Sequence, residues 1–268
     1  MSSPRHTALL LGAAALTSVL LAGCGDGSND EVGQGDSGQG GGGSPEAESL
    51  TVFAAASLSD TFTELGERFE AERGASVEFN FAGSSDLVTQ LEQGAPADVF
   101  ASADEATMER AEDAGLLAES SELFASNTLV IATPPDNPAD ISSLQDLSDD
   151  DVVTVVCAPQ VPCGAATETV FDAGGVDVAP ASEESAVTDV LGKVTAGEAD
   201  AGLVYATDAQ GAGDDVETVE FAEAEDAVNH YPIASLQDSE NPLASEFVDF
   251  ILEEPSQEVL REAGFASP

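Results

Sequence analysis

From residue 50 onward, short apolar runs alternate with stretches in which apolar residues recur at helical spacing. The runs have the length of buried strands and cover residues 50–55, 77–81, 99–101, 128–132, 152–156 and 202–205. Helices are predicted between and after them, around Phe62, Leu65 and Phe69, around Leu87 and Leu91, around Met108 and Ala111, over 165–173 and 183–196, around Phe247, Phe250 and Ile251, and around Val259 and Leu260. Such alternation predicts an α/β protein with mainly parallel sheets flanked by helices. Prolines at 134–138 favour a division into two lobes.

The segment before this pattern has the features of an export signal. Arg5 and His6 precede an uncharged stretch, residues 8–22, that ends in small residues. A basic start, an apolar middle and small residues before the cut are typical of a secretory signal peptide, here residues 1–23.

A tether is predicted to follow the signal peptide. Residues 24–49 are rich in glycine, serine and acids, a composition typical of a flexible linker. Just before the linker, the motif Leu21-Ala22-Gly23-Cys24 resembles the bacterial lipobox, in which the cysteine is diacylated. An ordinary signal peptide with a chance cysteine would look similar. Because two acyl chains suffice for stable anchoring, we expect an exported protein anchored through Cys24 to the outer face of the cytoplasmic membrane.

The charge of the chain excludes several partners. Its 268 residues include 52 Asp+Glu and 6 Lys+Arg, for a formal net charge of −46. Nucleic-acid binding needs clustered Lys and Arg, which this chain lacks. A hydrophobic content of 42% is sufficient for a core, so the acids are expected to coat a folded surface. Charge alone would favour a protein that captures cations or basic partners.

Catalytic motifs are missing from the mature sequence. His230 is the only histidine after signal removal, and no Gly-x-Ser-x-Gly elbow, His-Glu-x-x-His pair or P-loop occurs. A binding protein is therefore favoured over an enzyme, and a secreted hydrolase using His230 is kept as an alternative. No cofactor is predicted.

The cysteines and acids do not form a recognisable metal motif. The acidic run 149–151 is typical of a loop rather than a calcium cage. Cys157 and Cys163 have at most one histidine to join them, so a zinc site is disfavoured. In an exported protein we expect them to form a disulfide, with two free thiols as the alternative.

Stretches without charge stand out in so acidic a chain. They cover residues 51–57, 80–85, 152–167 and 201–207. Buried strands would also lack charge, but most of these stretches extend to a predicted helix start. Together they predict helix N-termini converging on a neutral cleft that carries hydroxyl groups, where free N–H groups can hold an anion without Lys or Arg.

A family resemblance adds to this interpretation. Five motifs, in order along residues 50–265, resemble those of the bacterial periplasmic molybdate-binding proteins of ABC importers: Val52-Phe53-Ala54-Ala55-Ala56-Ser57-Leu58, Phe81-Ala82-Gly83-Ser84-Ser85, Gly94 to Asp104, Gly202 to Ala209 and Arg261-Glu262-Ala263-Gly264-Phe265. The resemblance implies a type II periplasmic-binding-protein fold with the ligand cleft between two lobes. The chain would cross twice, giving one lobe from 50–131 with 234–268 and another from 132–233.

The resemblance also implies the ligand and its contacts. Molybdate, and tungstate with it, would be held by hydroxyl and amide donors, without any direct bond from the protein to the metal. The protein would act as a monomer and pass the anion to an ABC permease. Carried over by motif, the donors are Ser57, Ser84, Cys163, Val187 and Tyr205. Cys163 departs from the family, which usually has a small residue there, and Glu183 and Glu184 are unexpected so near an anion site. The serines could instead be plain helix caps and Tyr205 a core residue.

A site of donors only has a predictable selectivity. Monohydrogen phosphate carries a proton that needs an acceptor, so such a site would favour fully ionised molybdate or tungstate. Sulfate differs only in size. A binder of sulfate or another tetrahedral oxyanion on the same fold, and a cation-capturing lipoprotein, therefore remain alternatives.

Overall fold

Strands and helices alternate along most of residues 49–268, the part of the chain that the computed structural model describes. The predicted signal peptide, Cys24 and the linker up to residue 48 lie outside the described residues. Within this part of the chain, ten strands form two five-stranded sheets, each flanked by helices. The predicted α/β class with two mixed, mainly parallel sheets is confirmed.

The first sheet combines three parallel strands with two further strands. Its spatial order is β2, β1, β3, β10, β4, with bounds Ser76–Ala82, Ser49–Ala55, Val99–Ala101, Asn229–Ser235 and Glu122–Asn127. β1 pairs in parallel with β2 and β3, whereas β10 runs antiparallel to both β3 and β4.

The second sheet repeats this arrangement. Its order is β7, β6, β8, β5, β9, with bounds Ser182–Glu184, Thr154–Cys157, Ala201–Tyr205, Leu129–Thr133 and Glu217–Val219. β6 pairs in parallel with β7 and β8, and β5 runs antiparallel to β8 and β9. In each sheet the fourth strand is the one that arrives from the other sheet.

Six of the eight α-helices in the described residues follow strands of the parallel groups. The helices are α1 (Ser59–Arg73), α2 (Ser84–Glu92), α3 (Glu105–Asp113), α4 (Pro162–Gly174), α5 (Val187–Thr195), α6 (Ala206–Ala212), α7 (Leu243–Leu252) and α8 (Glu254–Glu262). Helices α1 to α6 begin at the carboxyl ends of β1, β2, β3, β6, β7 and β8. The edge where ligands bind in α/β proteins is therefore lined with helix N-termini.

The chain passes between the sheets twice. It leaves the first sheet after β4, at residue 128, and returns between β9 and β10, at residues 220–228. These passages come a few residues before the lobe boundaries expected at 131/132 and 233/234, because β5 and β10 already pair within their new sheets. We call the half built on the first sheet the first lobe and the other half the second lobe.

The apolar faces predicted for the helices are buried. Phe62, Leu65 and Phe69 of α1 are fully buried, and Phe69 packs edge-on against Phe247 and Phe250 of α7, with ring centroids 5.2 and 5.3 Å apart. Each buried aromatic ring stabilises the first lobe by about 1.5–3 kcal/mol through its apolar area. Within residues 49–268, no helix is both long and apolar enough to span a bilayer.

Some elements differ from the sequence prediction. The helix predicted over 183–196 begins only at Val187, because Ser182–Glu184 pairs with β6 as a short strand. β4, β9, β10 and α6 had not been predicted as separate elements.

Candidate functional site

A small cavity lies between the lobes, at the carboxyl ends of the parallel strands. None of its thirteen lining residues is charged: Ala55, Ala56, Ser57, Gly83, Ser84, Ala103, Val161, Pro162, Cys163, Ser185, Ala186, Val187 and Tyr205. Its volume is about 20 Å³, whereas a single water needs about 10–15 Å³. In this conformation it therefore admits a ligand of a few atoms and excludes sugars and peptides.

The structure brings all five residues expected to hold a ligand to this cavity. Ser57 lies in the 3-10 turn Ala56–Leu58 that leads into α1, and Ser84 and Val187 are the first residues of α2 and α5. Cys163 is the second residue of α4, and Tyr205 directly precedes α6. First-turn amides have no acceptor inside their helix, so these N-termini offer free N–H groups and the positive ends of helix dipoles.

Ser84 is held so that its hydroxyl proton is free. The side chain is buried, and its Oγ accepts a hydrogen bond from the Ala103 N–H at 3.0 Å. Among the described residues no acceptor is recorded for the Ser84 proton. The hydroxyl is therefore available to donate into the cavity.

Ser57 has a comparable internal partner. Its Oγ lies 3.0 Å from the hydroxyl of Tyr231, a fully buried residue of β10. Ser57 itself is half-buried and faces the cavity. The position of its hydroxyl is thus determined by a side chain 174 positions away in the sequence.

Tyr205 presents an unsatisfied donor. Its ring is buried, and its hydroxyl has no hydrogen-bond partner in the described part of the chain. Burial raises the pKa of Tyr205 well above its usual value, and the nearby Tyr231 raises it further. The phenol is therefore protonated at physiological pH, and an unpaired buried donor is costly unless a ligand accepts from it.

Cys163 is tied to the end of β6 by a disulfide with Cys157, so the pairing expected from the sequence is present. The loop between them is tightly folded. A Cβ at Gly164 would lie 1.8 Å from the Ala158 carbonyl oxygen, so only glycine fits there. The disulfide and this close approach fix the first turn of α4 and its amide groups beside the cavity.

Two contacts join the lobes across the rim of the cavity. Ser85 of α2 donates its hydroxyl hydrogen to the backbone oxygen of Gln160, in the disulfide loop, at 2.8 Å. Gly83 approaches the second lobe so closely that a Cβ there would lie 2.1 Å from the Ser185 oxygen. Sequence reasoning did not find the part played by Ser185, Gln160 or Tyr231, because nothing in the chain marks which distant residues come together.

Some of the acids close to the cavity are paired, partly uncharged or absent from its lining. Glu184 forms an ion pair with Lys193, and neither Glu183 nor Glu184 lines the cavity. Asp208 accepts a hydrogen bond from the Tyr205 N–H at 3.1 Å. Burial raises the pKa of Asp208 to about 7 against the lowering effect of that bond, and Asp60 raises it further. Much of the Asp208 population is therefore uncharged at neutral pH.

The structure does not assemble a hydrolase or a metal site around the remaining candidates. His230 lies in a separate groove with Asp104, Glu105 and Asp226, and no serine lines that groove. Across residues 49–268, no group of three or more His, Cys, Asp or Glu is placed to hold a metal ion.

Comparison with known proteins decides the family. Residues 50–266 match the profile of the bacterial extracellular solute-binding proteins. The chain belongs to this family. Family members are binding proteins, in agreement with the expectation of a binding protein rather than an enzyme.

Individual members of the family support a narrower relationship. The chain is 50% identical over 224 residues to the molybdate-binding protein ModA of Mycobacterium bovis, covering 83% of this chain and 86% of that protein. The structure of the periplasmic molybdate-binding protein of Azotobacter vinelandii superposes with a TM-score of 0.72 at 20% identity, covering 82% of this chain and 99% of that one. The sulfate-binding protein SubI of Mycobacterium tuberculosis has the same fold, with a TM-score of 0.69 at 18% identity, covering 82% and 87%. The expected periplasmic-binding-protein fold is confirmed.

Proposed function

We propose that this protein captures molybdate, and tungstate with it, outside the cytoplasm and delivers it to an ABC permease. The observation that carries the proposal is the cavity of uncharged donors at converging helix N-termini. The 50% identity of the chain to a molybdate-binding protein supports the same assignment. We propose that Ser57, Ser84 and Tyr205 donate hydroxyl groups and that Cys163 and Val187 donate amides.

The chemistry of these donors suits a tetrahedral dianion. Each oxygen of the anion exchanges a hydrogen bond from water for one from a fixed donor, and hydrogen bonds to charged groups are the strong ones. The Tyr205 hydroxyl is buried without a partner. A hydrogen bond from this hydroxyl to an oxygen of the anion therefore removes the free-energy penalty of the unpaired donor in the empty site. Five helix starts add dipoles of favourable sign without any cation.

We propose that the lobes close over the anion by hinge motion at the two passages between the sheets. Asn127 at the end of β4 and Asn229 at the start of β10 are paired there, so both connections lie side by side. A hinge of a few residues at element ends is typical of periplasmic binding proteins. The closed form would then be recognised by the permease, with the protein acting as a monomer.

Calorimetry with a panel of anions tests this function. We expect the purified protein to bind molybdate and tungstate tightly and the smaller sulfate weakly, because the chain is 50% identical to a molybdate-binding protein. Hydrogen phosphate serves as the control, since its proton needs an acceptor and a cavity hydroxyl would have to turn from donating to accepting to provide one. Equal affinity for sulfate would favour a sulfate binder, and calcium binding without oxyanion binding would favour a cation-capturing protein.

We further propose that Cys24 carries a lipid anchor, on the basis of the motif that precedes it. Expressed with its own signal in a bacterial host, the full chain is expected in the membrane fraction and in the detergent phase on partition. The Cys24→Ser variant should move to the soluble exported fraction while its molybdate affinity is unchanged. Equal partition of both forms would contradict lipidation.

A further inference from the structure

The two cavity serines have the same kind of hydrogen-bond environment. Each has its oxygen beside a donor from inside the protein: the Ala103 N–H at Ser84 and the Tyr231 hydroxyl at Ser57, both at 3.0 Å. A hydroxyl whose oxygen already accepts a bond points its own proton elsewhere. For both serines the remaining direction is the cavity that they line.

The direction of the bond between Tyr231 and Ser57 follows from the surroundings of Tyr231. Its side chain is fully buried, and of the three side chains that act on its hydroxyl, Ser57, Asn127 and Tyr205, the Ser57 Oγ is the one placed in hydrogen-bonding geometry, at 3.0 Å. Burial raises the pKa of Tyr231, so the phenol keeps its proton. A buried hydroxyl proton needs an acceptor, so Tyr231 donates and Ser57 accepts.

We propose that Tyr231 is a specificity-determining residue that biases Ser57 to act as a donor toward the bound anion. The inference rests on the proposed oxyanion-binding function and assigns to Tyr231 a role in it. Tyr231 does not line the cavity and acts through Ser57.

The expected consequence is weaker binding of anions that carry a proton. A serine hydroxyl can either donate or accept, so a free Ser57 would accept the proton of monohydrogen phosphate and lower the penalty against it. With Tyr231 donating to one of the two lone pairs of the Ser57 oxygen, the Ser57 proton is left to point into the cavity, so accepting the phosphate proton there becomes less favourable. The same reasoning applies to Ser84, but there the internal donor is a backbone amide that no substitution removes.

The test is Tyr231→Phe, which keeps the ring in its aromatic contacts with Phe124, Tyr205 and Phe265. Calorimetry would be done with molybdate and with inorganic phosphate at mildly alkaline pH, where phosphate is mainly the monohydrogen dianion. We expect molybdate affinity to fall by about three- to tenfold, as for the loss of one supporting hydrogen bond. Phosphate affinity should rise, so that the ratio of molybdate affinity to phosphate affinity falls by more than the loss of molybdate affinity alone.

A double-mutant cycle separates this role from a general effect on packing. In a Ser57→Ala background, Tyr231→Phe should leave the molybdate-to-phosphate ratio unchanged, because the group through which Tyr231 acts is gone. The same drop in both backgrounds would overturn the inference, and so would an unchanged ratio in Tyr231→Phe. If the wild-type protein itself did not bind molybdate, the proposed function would fail first, which the same titrations show directly.

Discussion

Replacing Gly83 by alanine is expected to lower molybdate affinity by about a hundredfold while leaving each lobe folded. The added Cβ would lie 2.1 Å from the backbone oxygen and 3.3 Å from the backbone carbon of Ser185 in the other lobe. Backbone atoms cannot rotate away as a side chain does, so the lobes must separate. A shift of about 1 Å in the donors of the second lobe is enough for a loss of this size.

The backbone of Gly83 shows that the cost arises only between the lobes. Its φ of −58° and ψ of 134° are close to polyproline II values that any residue adopts, so alanine is not strained within the first lobe. The Ser85 bond to Gln160 would be lost with the same separation. Thermal stability without ligand should therefore change little, and small-angle scattering with molybdate should show a more open particle than the wild type.

Gly192→Ala provides the matched control for this prediction. Gly192 lies within α5 of the second lobe, and a Cβ there would meet nothing within 4 Å. Alanine is the better helix former, so this variant should bind molybdate normally and be equally or more stable. If Gly83→Ala bound molybdate as tightly as Gly192→Ala, the close approach of the lobes would not belong to the bound state.

The double change Ser84→Ala with Tyr205→Phe should weaken molybdate binding by about two to four orders of magnitude. Each substitution removes one donor to a charged ligand, worth about 1.5–3 kcal/mol. Both side chains line the cavity, and neither donates to another group among the residues described. Calorimetry of the single and double variants measures the loss and any coupling between them.

The two single variants should differ in stability without ligand, which provides an internal check. Tyr205→Phe removes a buried hydroxyl that has no partner, so the empty protein should be as stable as the wild type or more so. Ser84→Ala leaves the buried Ala103 N–H without its acceptor and should lower the free energy of unfolding by about 1–3 kcal/mol. A double variant with wild-type affinity would contradict the proposed site.

Much of the fold could be predicted because its signals are local. The spacing of Phe62, Leu65 and Phe69 predicted α1 and its buried face, and the apolar run before Ser57 predicted β1. The short strand β7 was missed because its sequence, Ser182–Glu184, is acidic and carries no apolar signal. Its strand character comes from pairing with β6, which is a tertiary effect.

The sequence allowed the residues of the site to be predicted, but it did not allow the directions of their hydrogen bonds to be predicted. Uncharged stretches and motifs pointed to Ser57, Ser84 and Tyr205, but the hydroxyl directions of the two serines depend on partners that the sequence does not place beside them. Tyr231 bears on Ser57 across 174 positions, and Gly83 is required because of the Ser185 backbone. Such pairs become visible only when the sheets are assembled.

The disulfide between Cys157 and Cys163 has a consequence for when the binding site matures. Such bonds form in oxidising compartments and not in a reducing cytosol. The first turn of α4, with its amide groups, is therefore restrained only after oxidation. With the proposed export and molybdate-binding function, a newly made chain would complete its binding geometry only after crossing the membrane, and it would compete little for molybdate inside the cell.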